Sequence, residues 1–224
     1  KMKELRLFNV RPSLFFSWTT EVLFFKGRHK GQDVFIKLYL DRRKSQRESR
    51  ILEYVNSFSG ELLVPEFIDD GVYSGGYFVL LERLEAKSLK TIMGAITFEA
   101  FQGVLEQFIY ILGEFSRMEI VHCDITPDNI MVTKKGELVI IDFEYSTIKG
   151  SSDYQDLIFA KRSVLKSLGG AFSMPGYSWD DAYSFLSIAK EIINRNNFSK
   201  NNLSKIEEKL QILEDLIGEN QYKN

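Results

Sequence analysis

The hydrophobic spacing of the sequence changes near residue 84, and this change limits what the chain can fold into. Before it, short β-branched and aromatic runs alternate with turn residues such as Lys30-Gly31-Gln32-Asp33, a pattern typical of strands. The helix Arg42–Phe58 interrupts them, and there is room for a further short strand before the first run. The predicted strands are Val22–Lys26, Val34–Leu40, Val64–Ile68 and Tyr77–Leu81, the last two separated by Asp69-Asp70-Gly71 and Ser74-Gly75-Gly76.

Beyond residue 84, apolar residues recur at helical spacing. The predicted helices are Phe98–Arg117, Asp153–Leu168, Ser178–Arg195 and Leu203–Ile217. Ile130–Thr133 and Leu138–Ile141 form a predicted hairpin. Because a sheet-rich part precedes a helix-rich part, the sequence predicts an α+β protein of two lobes, residues 1–84 and 85–224, with a hinge at Glu82–Glu85.

Composition excludes several functional classes. With 44% hydrophobic and 27% charged residues, the chain has the composition of a globular protein. The net charge of −2 lacks the basic excess of a nucleic-acid-binding protein. No apolar run approaches the ~20 residues of a transmembrane helix, and the start lacks the apolar core of a signal peptide. With a single cysteine, nothing indicates an oxidising compartment, so we expect a cytoplasmic protein.

Polar residues converge around the predicted hairpin of the second part. The segment His122-Cys123-Asp124-Ile125-Thr126-Pro127-Asp128-Asn129 precedes the hairpin, and Ile141-Asp142-Phe143-Glu144 follows it. If Lys135-Gly136 is a two-residue turn, Asn129 faces Asp142, with Cα atoms ~4.5–5.5 Å apart. An amide oxygen and a carboxylate at that spacing suit Mg²⁺. Asp124, on a loop that can fold back, could accept the proton of an attacking hydroxyl. The alternative is a hairpin with ordinary turn residues.

This order of residues, H-x-D-x-x-x-x-N followed by D-F, resembles the catalytic and metal-binding loops of the protein-kinase-like superfamily. The resemblance implies a two-lobed fold with a small antiparallel-sheet N-lobe and a reduced helical C-lobe. It implies that Asp124 is the catalytic base, that Asn129 and Asp142 bind metal, and that His122 supports the loop. The cofactors implied are ATP and Mg²⁺.

The first part supplies a lysine and a glutamate. Val34-Phe35-Ile36-Lys37 resembles the V-A-I-K strand of the family, and a charge inside an apolar strand requires a partner unless it snorkels from a sheet edge. On a helical wheel Glu48 lies in the middle of the apolar face, whereas Glu53 lies on the solvent side. We therefore predict that Glu48 pairs with Lys37. The alternative is a glutamate at the boundary of a short helix.

Further site residues follow from the resemblance. Asp156, near the start of a predicted helix, would anchor the backbone of the catalytic loop, or would be an ordinary acid at a helix N-terminus. Glu82 and Leu84 in the hinge would offer backbone groups to adenine. Ser17, Thr19 and Thr20 occupy the place of the family's Gly-rich phosphate loop. They would bind phosphates through hydroxyl and N–H groups, or form a polar turn.

The sequence also departs from the family's pattern. Phe35 occupies the place of the small residue on the floor of the adenine pocket, and Thr126 that of a phosphate-contacting lysine. Glu144 replaces the glycine of D-F-G, and only ten residues separate Tyr145 from Asp156, too few for a peptide-docking activation loop. These departures favour the minimal members: RIO kinases, the small kinase of the KEOPS complex, lipopolysaccharide-core sugar kinases, and aminoglycoside or choline kinases.

The expected reaction is transfer of the γ-phosphoryl group from ATP to a hydroxyl acceptor, assisted by Mg²⁺. Our first hypothesis is an atypical protein kinase acting on Ser or Thr. The alternatives are a kinase acting on a sugar, a lipopolysaccharide core or another small molecule, and a catalytically inactive nucleotide-binding scaffold. The expected partners are ATP and the hydroxyl-bearing acceptor.

Overall fold

The structure, a computed structural model, describes residues 7–12, 22–58, 64–73, 75–151, 179–218 and 221–222. The predicted helix Asp153–Leu168 lies outside these residues. The described residues form two compact units. The first unit ends at Leu84 and the second begins at Glu85.

In its described residues, the first unit is an antiparallel sheet with one helix. Its strands lie in the order β1-β2-β3-β5-β4, and every neighbouring pair is antiparallel. The elements are β1 (Leu7–Pro12), β2 (Val22–His29), β3 (Gln32–Tyr39), α1 (Arg42–Ser57), β4 (Phe67–Tyr73) and β5 (Gly76–Glu82). The predicted α+β class, with an antiparallel sheet in the first part, is confirmed.

The turn between β2 and β3 contains only two residues. Lys30 and Gly31 both have positive φ, at 49° and 87°. Two consecutive residues of this kind form the hairpin turn whose twist matches that of the flanking strands. The predicted turn is therefore correct at Lys30-Gly31, whereas Gln32 and Asp33 already belong to β3.

The prediction for β4 was wrong in its position. Asp69-Asp70-Gly71, predicted to separate two strands, lies within β4 and pairs with β5, after a bulge between Phe67 and Asp69. Pairing with a strand of the core overrides the low strand propensity of these residues. Gly71 fits there because a Cβ atom would come within 3.0 Å of the Phe78 ring.

Side chains of β3 alternate between the two faces of the sheet. Val34 and Ile36 pack with Phe78 and Leu80 of β5 in an apolar cluster on one face. Because successive side chains of a strand point to opposite faces, Lys37 lies on the other face. Helix α1 contributes to that face through Glu48, which contacts Lys37. The Lys37–Glu48 pair and the apolar cluster therefore lie on opposite faces of the sheet.

The second unit is mainly helical, with three small sheets of described strands. Its elements are β6 (Ala86–Ser88), α2 (Leu89–Ile92), α3 (Phe98–Arg117), β7 (Ile120–Val121), β8 (Ile130–Thr133), β9 (Leu138–Ile140), a 3₁₀ turn (Phe143–Tyr145), β10 (Thr147–Ile148), β11 (Trp179–Asp180), α4 (Asp181–Asn196), α5 (Lys200–Ser204), α6 (Glu207–Asp215) and β12 (Gln221–Tyr222). The sheets are β6-β8-β9, β10-β7 and β11-β12.

Helix α3 forms the core of this unit. Thr97 caps its N-terminus by accepting a hydrogen bond from the Ala100 N–H at 3.2 Å. Its apolar residues recur every three or four positions, and Phe101, Phe108 and Phe115 are all fully buried. Phe108 packs against Phe185 of α4 with ring centroids 4.4 Å apart. This packing holds together the helices that support the polar loop between β7 and β8.

Two other predicted helices differ in their bounds. The helix predicted from Ser178 begins at Asp181, because Trp179 and Asp180 pair with β12. The helix predicted over Leu203–Ile217 is interrupted near Ser204, where the Ile206 N–H bonds the Leu203 carbonyl, three residues back, at 3.0 Å. Within the described residues, no helix is both long enough and apolar enough to cross a membrane.

Candidate active site

Lys37 and Glu48 form a buried ion pair in the first unit. The Lys37 ammonium donates to the Glu48 carboxylate at 2.6 Å, and the two residues are 4% and 0% exposed. Strand β3 lies between β2 and β5, so Lys37 does not snorkel from a sheet edge. Glu48 lies on the same face of α1 as Ile51, Leu52 and Val55, all of which are buried.

The helical wheel distinguishes the two candidate glutamates correctly. Glu48 is buried and Glu53 is exposed, as their positions relative to the apolar face of α1 predict. Tyr39, also on β3, donates its hydroxyl to the second oxygen of Glu48, a contact that was not predicted from the sequence. The spacing could have revealed it, because residues two apart on a strand share a face.

The residues predicted to form the hinge lie at the end of β5 and directly after it. The Glu82 N–H donates to the Glu66 carbonyl at 3.0 Å, and the Arg83 N–H donates to the Asp33 carbonyl at 3.2 Å. These two donors are therefore used within the first unit. Leu84 follows them, half-buried, outside any strand. Ser17, Thr19 and Thr20 lie outside the described residues.

In the second unit, Asp124 and Asn129 are joined directly. The amide nitrogen of Asn129 donates to the Asp124 carbonyl at 3.0 Å and to the Asp124 carboxylate at 2.8 Å. These two bonds use both hydrogens of the amide nitrogen, so the remaining polar atom of this side chain is its carbonyl oxygen. Asn129 can thus orient the carboxylate of Asp124 and still offer a hard oxygen ligand.

The predicted register of the hairpin was wrong by one residue. Ile130 pairs with Ile140, so Asn129 lies opposite Ile141 rather than Asp142, and the Ile141 N–H donates to the Asn129 carbonyl at 3.0 Å. The loop contains three residues, Lys134 to Gly136, instead of two. A positive φ of 83° at Gly136 is the conformation that closes a three-residue loop of this kind.

The shifted register leaves Asp142 just beyond the last paired position. Its φ of 70° is in the left-handed region, which a residue other than glycine rarely adopts. The chain turns there into the 3₁₀ turn Phe143–Tyr145. Asp142 is half-buried, and it follows the end of β9 through this local turn of the backbone, without pairing directly with Asn129.

His122 holds the loop to the strand that precedes Asp142. Its Nδ1 accepts from the Asp124 N–H at 3.3 Å, so its Nε2 carries the proton and donates to the Ile141 carbonyl at 3.1 Å. The ring is fully buried and packs against Phe115 and Phe143. Both nitrogens are occupied, so this histidine supports the loop in the way the sequence resemblance implies.

Asp181 anchors the same loop from the start of α4. Its carboxylate accepts from the N–H of His122 at 2.7 Å and from the N–H of Cys123 at 3.1 Å. This anchoring was predicted for Asp156, which lies outside the described residues, and Asp181 was not predicted. The signal was an acid pair, Asp180-Asp181, directly before an apolar helical pattern.

Burial dominates the electrostatics of this anchor. The pKa of the Asp181 carboxyl is raised from 3.8 to about 7, because burial raises it more than the N–H bonds from His122 and Cys123 lower it. The neighbouring Asp180 also raises the pKa of Asp181. Asp180 itself caps α4 by accepting from the Tyr183 N–H at 2.8 Å, and it accepts from the Gly218 N–H at 2.8 Å.

The donor set of this unit fits magnesium. Within the described parts of the chain, there is no group of three or more His, Cys, Asp or Glu side chains that could hold a metal ion by themselves. Mg²⁺ typically takes only one or two protein oxygens and completes its shell with phosphate and water. The amide oxygen of Asn129 and the carboxylate of Asp142 are oxygen donors of this type.

Comparison with known proteins shows similarity to protein kinases. A G-type lectin S-receptor-like serine/threonine-protein kinase of Arabidopsis thaliana is 29% identical over 147 residues, which are 62% of this chain and 17% of that protein. The KEOPS complex subunit Bud32 of Pyrococcus abyssi is 26% identical over 169 residues, 74% of this chain and 71% of that protein. The dual specificity mitogen-activated protein kinase kinase 1 of Dictyostelium discoideum is 32% identical over 134 residues, 53% of this chain and 19% of that protein.

No protein-family model matches the chain. It spans less than a fifth of the Arabidopsis and Dictyostelium kinases. The chain thus has weak homology to protein kinases, which supports a phosphotransferase of the protein-kinase-like superfamily.

Proposed function

We propose that this protein is an ATP- and Mg²⁺-dependent kinase that transfers the γ-phosphoryl group to the hydroxyl of Ser or Thr in a protein. The observation that carries the proposal is the buried Lys37–Glu48 ion pair. Its ammonium and carboxylate lie 2.6 Å apart, and Lys37 belongs to the central strand of the sheet. Burying two charges costs several kcal/mol per ion, so such a pair is an inefficient way to stabilise a fold. A functional requirement for a fixed ammonium group explains its presence better.

The first unit would bind the nucleotide. Lys37, held by Glu48, would orient the α- and β-phosphates of ATP. The carbonyl groups of the hinge and the N–H of Leu84 would bond adenine, since the N–H groups of Glu82 and Arg83 already have acceptors. From the sequence resemblance, Ser17, Thr19 and Thr20 would contact the phosphates.

The second unit would bind the metal and the acceptor. Asn129 and Asp142 would hold Mg²⁺, which neutralises charge on the phosphates during transfer. Asp124, with its carboxylate fixed by Asn129, would accept the proton of the attacking hydroxyl. The acceptor oxygen then bonds to the γ-phosphorus as the bond to the bridging oxygen of ADP breaks. Few residues are needed, because catalysis of this type depends mainly on positioning and charge neutralisation.

The kinase proposal is tested by Mg²⁺-dependent ATP consumption. Turnover should be lost in Asp142→Ala and in Lys37→Met. Arg28→Met is the matched control for Lys37→Met, because it removes an exposed cation of the same sheet, paired with Asp33 at 2.9 Å. This control should retain wild-type turnover. Turnover that persists in Asp142→Ala would refute the metal assignment, and a wild-type chain that binds Mg²⁺·ATP without turnover would indicate a nucleotide-binding scaffold.

The acceptor is tested separately by identifying the product. The Arabidopsis relative is named as a serine/threonine-protein kinase and the Dictyostelium relative as a mitogen-activated protein kinase kinase, which favours a protein acceptor. A small-molecule kinase is the second candidate, favoured by Thr126 in place of the lysine that protein Ser/Thr kinases carry there. A screen of ATP consumption over proteins, sugars and aminoglycosides, followed by mass spectrometry, should find phosphoserine or phosphothreonine. A phosphorylated sugar would instead establish the second candidate.

A further inference from the structure

Tyr39 lies where it can control the orientation of Glu48. Lys37 and Tyr39 are two residues apart on β3, so their side chains leave the same face of the sheet. Both reach Glu48 of α1, but they bond different oxygens: the ammonium contacts Oε1 and the phenol hydroxyl donates to Oε2. The carboxylate is therefore held at both of its oxygens by one strand.

All three side chains are removed from solvent. Tyr39 and Glu48 are fully buried and Lys37 is almost so. A hydrogen bond to a charged acceptor is stronger than one between neutral groups, and low polarity around it strengthens it further. The phenol hydroxyl adds a second donor to Glu48, whose paired cation is the Lys37 ammonium.

The second bond restricts the carboxylate more than the ion pair alone. The terminal torsion of a glutamate is broad, so a carboxylate held at one oxygen can still rotate. Fixing Oε2 removes that rotation and keeps Oε1 directed at the ammonium of Lys37. It also ties α1 to β3 through two bonds to Glu48.

We propose that Tyr39 is a positioning residue of the kinase site: its hydroxyl holds Glu48, and through Glu48 it sets the position of the Lys37 ammonium for the phosphates. The proposal rests on the kinase function and deepens it. In this proposal, Lys37, Glu48 and Tyr39 act as one group, and the tyrosine preorganises it without contacting the substrate.

The test is Tyr39→Phe, which keeps the ring and removes the hydroxyl. Because a hydrogen bond to a charged group contributes more than a neutral one, kcat/KM for Mg²⁺·ATP should fall between about 5-fold and 50-fold. Tyr77→Phe is the matched control. Tyr77 lies directly opposite Tyr39 on β5 and is half-buried, so the control removes a phenol hydroxyl from the adjacent position. It should change kcat/KM less than about 2-fold.

A double-mutant cycle separates positioning from a structural effect. In a Glu48→Ala background there is no carboxylate to hold, so adding Tyr39→Phe should change kcat/KM less than about 2-fold. The melting temperature of each variant shows that the folded enzyme is compared. If Tyr39→Phe gives no folded protein, Tyr39→Met fills the space without a donor and is measured in its place.

Two results would overturn the inference alone: wild-type kcat/KM in Tyr39→Phe, or an equal loss with and without Glu48. In both cases Lys37→Met would still be inactive and the kinase function would stand. A wild-type chain without Mg²⁺-dependent turnover would overturn the kinase function and, with it, this inference.

Discussion

The two units build their polar groups in different ways. In the first, Lys37 and Glu48 are long side chains that meet inside the unit from regular elements, a central strand and a helix. In the second, Asp124, Asn129 and Asp142 lie on short irregular segments between strands. The first arrangement depends on side-chain burial, and the second depends on backbone conformation.

The irregular backbone of the second unit is strained and therefore needs support. Cys123 and Asp142 have positive φ, at 63° and 70°, and such conformations cost about 1–3 kcal/mol each. Asp181 bonds the N–H of Cys123, and His122 bonds the carbonyl of Ile141, next to Asp142. The supports are thus directed at the backbone on either side of the candidate residues. In the second unit, a buried acid and a buried histidine hold the backbone of the candidate site, whereas in the first unit an ion pair holds a side chain.

The largest expected effect is on catalysis in the second unit. Asp124→Asn keeps the size of the side chain and removes the proton acceptor, so kcat should fall about 10²- to 10⁴-fold. Mg²⁺·ADP binding, measured by calorimetry, should stay unchanged. Asp128→Asn is the control, because Asp128 is an exposed acid of the same loop, paired with Lys90 at 2.7 Å. An equal loss of kcat in both variants would contradict the role of Asp124.

The next effect is on stability in the first unit. Glu48→Ala leaves the Lys37 ammonium buried without its carboxylate, which should lower the free energy of unfolding by about 3–5 kcal/mol. Glu53→Ala, on the exposed side of the same helix, should change it by less than about 0.5 kcal/mol. Urea unfolding of the two variants measures the difference. Equal losses in the two variants would show that the buried ion pair does not stabilise the first unit more than an exposed glutamate does.

A pH effect of similar or smaller size is expected from Asp181. Its raised pKa means that the folded chain binds this proton more tightly than the unfolded chain. Stability from this group is therefore retained at low pH and lost as pH rises from about 4 to about 7. For a shift from 3.8 to about 7, the loss is up to about 4 kcal/mol.

Asp181→Asn removes the titrating group and should flatten this part of the pH dependence. The free energy of unfolding, measured in urea at pH 5 and pH 8, should fall more for the wild type than for the variant. The same fall in both proteins would show that the Asp181 carboxyl is ionised across this range, with its N–H bonds outweighing burial.

The smallest expected effects are on stability, and they come from changes in one hairpin turn of each unit. Gly31 and Gly136 have φ of 87° and 83°, and a Cβ at either position would meet no atom within 4 Å. Gly31→Ala and Gly136→Ala should each destabilise the protein by about 1–2 kcal/mol through backbone strain alone. Gly113→Ala within α3 also meets open space and should stabilise the protein by about 0.5–1 kcal/mol. A neutral Gly136→Ala would contradict the three-residue loop.

The helices α1 and α3 were predicted well because their signals are local. The bounds of α3 were predicted without error, and α1 within one residue, from the spacing of apolar side chains. The inward position of Glu48 followed from the same spacing. The β8–β9 register could not be predicted from this spacing. A two-residue loop and a three-residue loop both suit Lys134-Lys135-Gly136, and only the hydrogen bonds made by Thr133 favour the longer loop.

The order of residues by itself determined which groups are candidates for the chemistry: a lysine in an apolar strand, a glutamate on an apolar helix face, and an Asp–Asn–Asp series around a hairpin. Only the tertiary structure decided how they are held. Tyr39 on Glu48, Asp181 on the backbone of the loop and the left-handed turn at Asp142 all depend on atoms that meet across the chain or on a backbone state. Periodicity reports which face a side chain occupies, but not which buried donor will find which acceptor.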